Sequence, residues 1–218
     1  MLSAFCFHTE KKPALTYLPH NIYYVVEMTD LSSEGVKPMW YVVQTAAGNE
    51  ISAIEKCRNA MDSGMVTAIF TPKCQKRKKY SGEWRTEESV LFAGYVFLES
   101  NATAEILEEQ LKHISNVVTP VCIGGGFYPI RADEEAALRN MMDENYCICF
   151  SVGYLVDDKL VIEQGPIAGH TDQVRRIDRH RRLAELDVAL WQETRRIRVG
   201  LEVKAKLTGE EYAQLRSA

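Results

Sequence analysis

Residues 90–98 read VLFAGYVFL, a run with no charged side chain. An apolar run this short fits a strand buried on both faces, so it is placed at the centre of a sheet. Upstream, residues 73–89 are polar and basic, with a turn signal at Ser81-Gly82. This reads as a β-hairpin tip or long loop with Trp84 on the returning arm. Further back, residues 67–71 (TAIFT) form a strand checked by Pro72, and residues 40–45 (WYVVQT) form another. Between them Gly48-Asn49-Glu50 opens a helix carrying Ile51, Ile54, Cys57, Arg58 and Met61, with Gly64 as its stop. Downstream, residues 102–113 form an amphipathic helix with Ile106, Leu107 and Leu111 on one side. Residues 117–123 are strand-like and end in the turn Gly124-Gly125-Gly126. Asp133 then serves as N-cap of a helix that has Glu134 and Glu135 in its first turn and ends near Asp143. The order β-α-β-β-α-β-α over residues 39–143 predicts an α+β domain with helices on a mainly antiparallel sheet.

After Asn145 the pattern changes to short strands separated by turns: CICFSVG, DKLVIEQG, QVRRID, RLAELDVAL and RRIRVGLEV. That spacing predicts a small all-β barrel at residues 151–204, with a linker at 144–150 and a charged tail at 205–218. Residues 1–38 contain scattered Pro, Gly and Ser and one apolar stretch, Ile22 to Val26. They read as an N-terminal extension, poorly ordered or weakly docked.

The formal net charge of −4 argues against a protein that coats nucleic acid non-specifically. Any such contact must come from local patches. No long uncharged apolar run and no signal-peptide pattern is present, so a cytoplasmic protein without a membrane span is expected. The six cysteines are then free thiols. Cys147 and Cys149 flank one residue, too few for a zinc knuckle, so no metal is expected. The histidines are scattered, the triple glycine lacks the Lys-Ser/Thr ending of a phosphate loop, and no Gly-x-Ser-x-Gly elbow occurs. No cofactor and no enzymatic activity are expected.

The order of pieces resembles the NusG family of transcription elongation factors. WYVVQTAAGNE (40–50) is similar to the opening of that family's N-terminal (NGN) domain. LFAGYVFLES (91–100) looks like its central strand, with Ala93 where the family usually has proline. VCIGGGFYPI (121–130) looks like its closing strand and glycine turn. DKLVIEQGPIAGHTDQVRRIDRHRRLAEL (158–186) resembles a KOW motif, an SH3-like barrel signature, with Gly165, Pro166 and Gly169 at the turn. The run GPIAGHTDQVRRIDRHRRLAEL is most similar to the LoaP-type specialised paralogues. That resemblance implies processive antitermination directed by a hairpin in the nascent RNA.

The resemblance also implies sites. Contact with the clamp helices of the largest RNA polymerase subunit falls on Tyr41, Phe70, Phe92 and Tyr95. Strand alternation sends Phe92 to one face and Tyr95 and Phe97 to the other, so the set cannot share a single surface, and Trp40 and Phe97 are read as core residues. Arg175, Arg176, Arg179, His180, Arg181 and Arg182 form a dense patch suited to structured RNA, extended by Lys159, His170 and Gln173. Lys76, Arg77, Lys78 and Lys79 could meet upstream or non-template DNA, or simply be a solvated hairpin. The protein is expected to act as a monomer. Two rival readings remain: a general factor whose KOW domain binds Rho or a ribosomal protein, and a ribosome-associated KOW module.

Overall fold

The computed structural model describes residues 37–62, 64–123 and 125–217. The extension expected at 1–38, with Ile22–Val26, falls outside them apart from its last two residues. The chain runs β1 (Met39–Gln44), α1 (Glu50–Ala60), β2 (Val66–Phe70), β3 (Lys73–Tyr80), β4 (Glu83–Val90), β5 (Tyr95–Ser100), α2 (Ala104–Lys112), β6 (Thr119–Pro120), β7 (Cys122–Ile123), β8 (Gly126–Phe127) and α3 (Ala132–Met141). A four-stranded sheet in the order β2-β5-β1-β6 organises this half, with every pair antiparallel. Alternation along β1 divides the core in two. Tyr41 and Val43 face α1 and α2, meeting Ala53, Cys57, Leu107 and Leu111. Trp40 and Val42 face the other way, meeting Phe70, Phe97 and, from α3, Leu138 and Met141.

The apolar run at 90–98 is not one strand. β4 ends at Val90, Leu91–Gly94 turns, and β5 starts at Tyr95. Gly94 forces the break: its φ is +81°, and a Cβ there would stand 2.9 Å from the Thr45 carbonyl oxygen. Buried Glu50 fixes the turn by accepting hydrogen bonds from the Gly94 and Gly48 amides at 2.6 and 3.0 Å. Burial pushes the Glu50 carboxyl up, yet these amides hold it below its ordinary value. The turn also places Phe92 on the same side as Phe97, 6.2 Å away between ring centres, where strand alternation had put it opposite.

Three smaller expectations shift. Ile51 and Ile106 are exposed, because Ala53 and Cys57 in α1 and Leu107 and Leu111 in α2 supply the inward stripe. Arg131, not Asp133, occupies the N-cap of α3, its amide donating to Glu134. Asp133 instead pairs with the Arg131 guanidinium at 3.0 Å. The segment expected as a linker at 144–150 carries β9 (Cys147–Ile148), which is buried and pairs in parallel with β3. Burial pushes the Cys147 thiol up to about 12, making it an inert packing group.

The second half comprises β10 (Ser151–Val156), β11 (Lys159–Gln164), β12 (Val174–Asp178), β13 (Leu183–Leu190), β14 (Glu193–Leu207) and a terminal α4 (Gly209–Ser217). Its five strands lie in the order β11-β10-β14-β13-β12. The long β14 joins two sets of pairs: its first half runs antiparallel to β13, its second half parallel to β10. Ala184, Leu186, Val188 and Leu190 alternate inward against Ile197, Val199 and Leu201. Gly165 has φ +103° and would drive a Cβ into Ser151, so glycine is required there. Pro166 opens a short 3-10 turn through Gly169, whose own Cβ position is open. No helix among the described residues is long and apolar enough to cross a membrane.

Candidate nucleic-acid interface and the domain junction

The arginine run is laid out by the β12–β13 hairpin. Its turn spans residues 179–182, and Arg182 sits in the left-handed region at φ +54°. Asp178 shapes the turn by accepting the Arg181 amide at 2.9 Å, which holds the Asp178 carboxyl below its ordinary value. The Asp178–Arg181 ion pair itself is long, 3.9 Å, and exposed. Arg176 and Arg179 have no carboxylate within ion-pair distance among the described residues.

Behind the turn the outward face of the strands continues the basic surface. Glu185 and Asp187 point outward between buried neighbours on β13. Arg198 bonds Glu185 at 3.0 Å; Arg196 and Arg175 both bond Asp187 at 2.9 Å. Those two guanidinium groups, Arg196 first, hold the Asp187 carboxyl below its ordinary value. Sequence reasoning placed Arg175 and Arg176 here but missed Arg196 and Arg198. Strand register would have revealed them, since Asp187 lies opposite Arg196 and Glu185 opposite Arg198.

Lys159 does not join this surface. It starts β11 beside Val156, which pairs with Leu207, whereas the Arg182 carbonyl accepts from Leu201. Six residues of β14 therefore separate them, roughly 20 Å at about 3.3 Å per residue. His170 and Gln173 lie at the far end of β12 from the turn, and both are partly buried.

Residues 73–90 form a two-stranded arm, β3 and β4, closed by Ser81-Gly82. The arm lies along β14. Cys74 Sγ approaches the Arg198 carbonyl at 3.5 Å, and the Phe150 amide donates to Gln75 Oε1 at 3.1 Å. Arg77 and Arg182 share Glu202, the latter at 3.2 Å. The Arg182 guanidinium stands 4.1 Å above the Trp84 ring. Lys76 and Lys79 have no carboxylate partner among the described residues, whereas Lys78 pairs with Glu87 at 3.0 Å.

The aromatic set expected to face a partner protein is divided. Tyr41 lies in the helix-side core, its hydroxyl donating to the Ala102 carbonyl at 3.1 Å, so it offers no surface. Phe70 is buried, stacked 3.5 Å from Tyr146 and edge-on to Trp40. Phe92 is buried and Tyr95 half-buried beneath Trp191, at ring separations of 5.8 and 4.6 Å.

Trp191 was not singled out in the sequence. It occupies the two-residue turn between β13 and β14, where Trp191 and Gln192 both adopt φ +60°. Left-handed backbone at two successive non-glycine residues is unfavourable. Packing holds it: the Gln192 amide donates to Glu134 Oε1 at 2.8 Å, and Arg195 lies 4.6 Å over the indole. The buried indole N–H of Trp191 has no hydrogen-bond partner among the described residues. A cleft of about 380 Å³ opens beside it, lined by Tyr95, Val121, Cys122, Gln192 and Arg195. Among the described residues no cluster of His, Cys, Asp or Glu could hold a metal ion.

Residues 38–139 match the family model described as "Transcription termination factor nusG". No curated protein matches the chain. Among solved structures the chain is similar to one described as "Domain interaction in Thermotoga maritima NusG", at 22% identity and a TM-score of 0.43, over 78% of this chain and 96% of that one.

Proposed function

We propose that this chain, whose N-terminal half is a NusG-family domain, is a transcription elongation factor that binds RNA polymerase and promotes antitermination in response to a structured nascent RNA. The C-terminal sheet is read as a KOW domain of the LoaP-like kind. The observation that carries the RNA assignment is the β12–β13 hairpin and its continuation. Arg176, Arg179, Arg196 and Arg198 project from one sheet and its turn, with three carboxylates, Asp178, Glu185 and Asp187, among them. Arginine forks match phosphates and guanine edges, and their planes stack on splayed bases. An arginine-poor, apolar turn would have favoured a contact surface for Rho or a ribosomal protein, and this turn is arginine-rich.

The polymerase contact is assigned to Phe92 and Tyr95. Aromatic side chains contribute strongly at protein interfaces when they become fully desolvated. Trp191 now fills that role intramolecularly, so polymerase contact through Phe92 requires the Trp191 turn to withdraw. Phe70 supports this surface from within, in the same core as Phe92, whereas Tyr41 lies on the opposite face of the sheet.

Retention on immobilised elongation complexes tests the reading. The full chain is expected to co-elute with RNA polymerase stalled downstream of the leader of its own operon, and Phe92→Ser to be lost from it. Sedimentation with ribosomes instead of polymerase would favour the ribosome-associated alternative and refute the proposal.

A further inference from the structure

We infer that the RNA site is built by both domains: the β3–β4 arm of the N-terminal domain and the arginine turn of the C-terminal sheet form one cationic surface that grips a single folded RNA. The inference rests on the RNA reading above and adds a second half to that site. Trp84 and Arg182, at the tips of the two basic patches, are 98 residues apart in the chain, yet their side chains touch.

Three observations support the junction. The Arg182 guanidinium carbon lies 4.1 Å from the centre of the Trp84 ring, fixing the arm against the turn. Glu202 pairs with both Arg77 and Arg182, so these two arginines act as the clamp, and the trio keeps one net positive charge. The cations around the clamp are left over. Lys79 sits directly across the hairpin from Trp84 and shares its face, with Lys76 and Arg85 on the opposite face of the arm, and Lys79 and Arg179 have no carboxylate partner among the described residues. Arg181 has only Asp178 at 3.9 Å, a pair too loose to hold it from a phosphate.

The segregation of charge points to a polyanion. The whole chain carries a net charge of −4, yet unpaired cations collect on both sides of one seam. An aromatic ring beside lysines and arginines suits RNA, where backbone attraction and stacking combine. The seam is fixed by side-chain contacts before any RNA arrives, so little ordering is needed on binding.

The test uses the full chain and a folded transcript of the leader of its own operon, with binding followed by fluorescence anisotropy over a salt series. Lys79→Glu reverses charge on the Trp84 face of the arm alone; Arg179→Ala/Arg181→Ala removes charge from the turn alone. All three side chains are exposed. Each variant is expected to weaken binding about ten-fold and to lower the salt slope by about 2. Loss with the turn variant but unchanged binding with the arm variant would overturn the two-domain site while leaving the RNA reading intact. Unchanged binding with both would overturn the RNA reading itself. A DNA hairpin of the same sequence is expected to bind more weakly, and equal affinity would overturn the assignment to RNA.

Discussion

At Trp191 the C-terminal sheet meets the N-terminal domain through aromatic rings; along β14 it meets the β3–β4 arm through backbone contacts, a shared carboxylate and a cation–π stack. The first contact buries apolar surface and holds a strained turn. The second leaves its charges near water, where ion pairs contribute little. The aromatic contact therefore supplies most of the adhesion, and the polar one sets the position of the arm. That division also separates functions, since the aromatic contact covers the proposed polymerase site and the polar one shapes the proposed RNA site.

The comparison breaks most sharply at Trp191. Trp191→Ala should destabilise the chain by about 3–5 kcal/mol, the usual cost of emptying a buried aromatic site. Trp191→Gly should cost about 1 kcal/mol less despite removing more atoms, because φ +60° suits glycine. Urea unfolding of both variants measures this. If the arm carried the adhesion, both would lie close to the parent.

Gly200 probes the other contact. A Cβ there would collide with the Gln75 carbonyl oxygen and the Phe150 ring. Gly200→Ala should cost about 1–3 kcal/mol as the arm is forced away from β14. Faster amide exchange confined to β3 and β4 would show that the aromatic contact survives without it. Global unfolding would show that the two contacts are one.

Glu99 gives a smaller, pH-dependent effect within the N-terminal core. Burial raises its carboxyl, but the Trp40 indole N–H at 2.9 Å and Arg139 at 2.7 Å hold it below its ordinary value. Since the folded value is depressed, the stabilisation is complete above about pH 4.5 and is lost as pH falls through the folded value. Glu99→Gln should flatten the acid limb of the thermal-stability profile below that pH. An unchanged limb would place the acid-sensitive group elsewhere.

The smallest expected effect on folding comes from Asp187, which sits between Arg196 and Arg175 on the open face. Asp187→Asn should leave stability nearly unchanged while tightening RNA binding several-fold, because it removes a negative charge from the surface. Weaker binding would mean that Asp187 orients those arginines for the RNA.

Much of this fold was legible in the sequence. The Ser81-Gly82 turn located the arm, and alternation in LAELDVAL marked β13, because turn chemistry and strand period are local properties. Hydrophobicity hid the break at Leu91–Gly94: Ala93 and Gly94 read as part of an apolar strand, and only the approach of Thr45 requires the turn. Trp191 was missed for a related reason. Nothing in the dipeptide Trp-Gln signals a left-handed turn, and its aromatic partners lie about a hundred residues away in the chain. The arginines were visible as charge, but their pairing with Glu202, Asp187 and Glu185 depends on strand register.

The most direct measurement is single-round transcription by purified bacterial RNA polymerase through a terminator placed downstream of the operon leader. With the native leader, added protein is expected to raise readthrough, and Arg179→Ala/Arg181→Ala or a scrambled leader to abolish the gain. Readthrough that is unchanged by the protein, or that rises equally with the scrambled leader, would contradict RNA-directed antitermination.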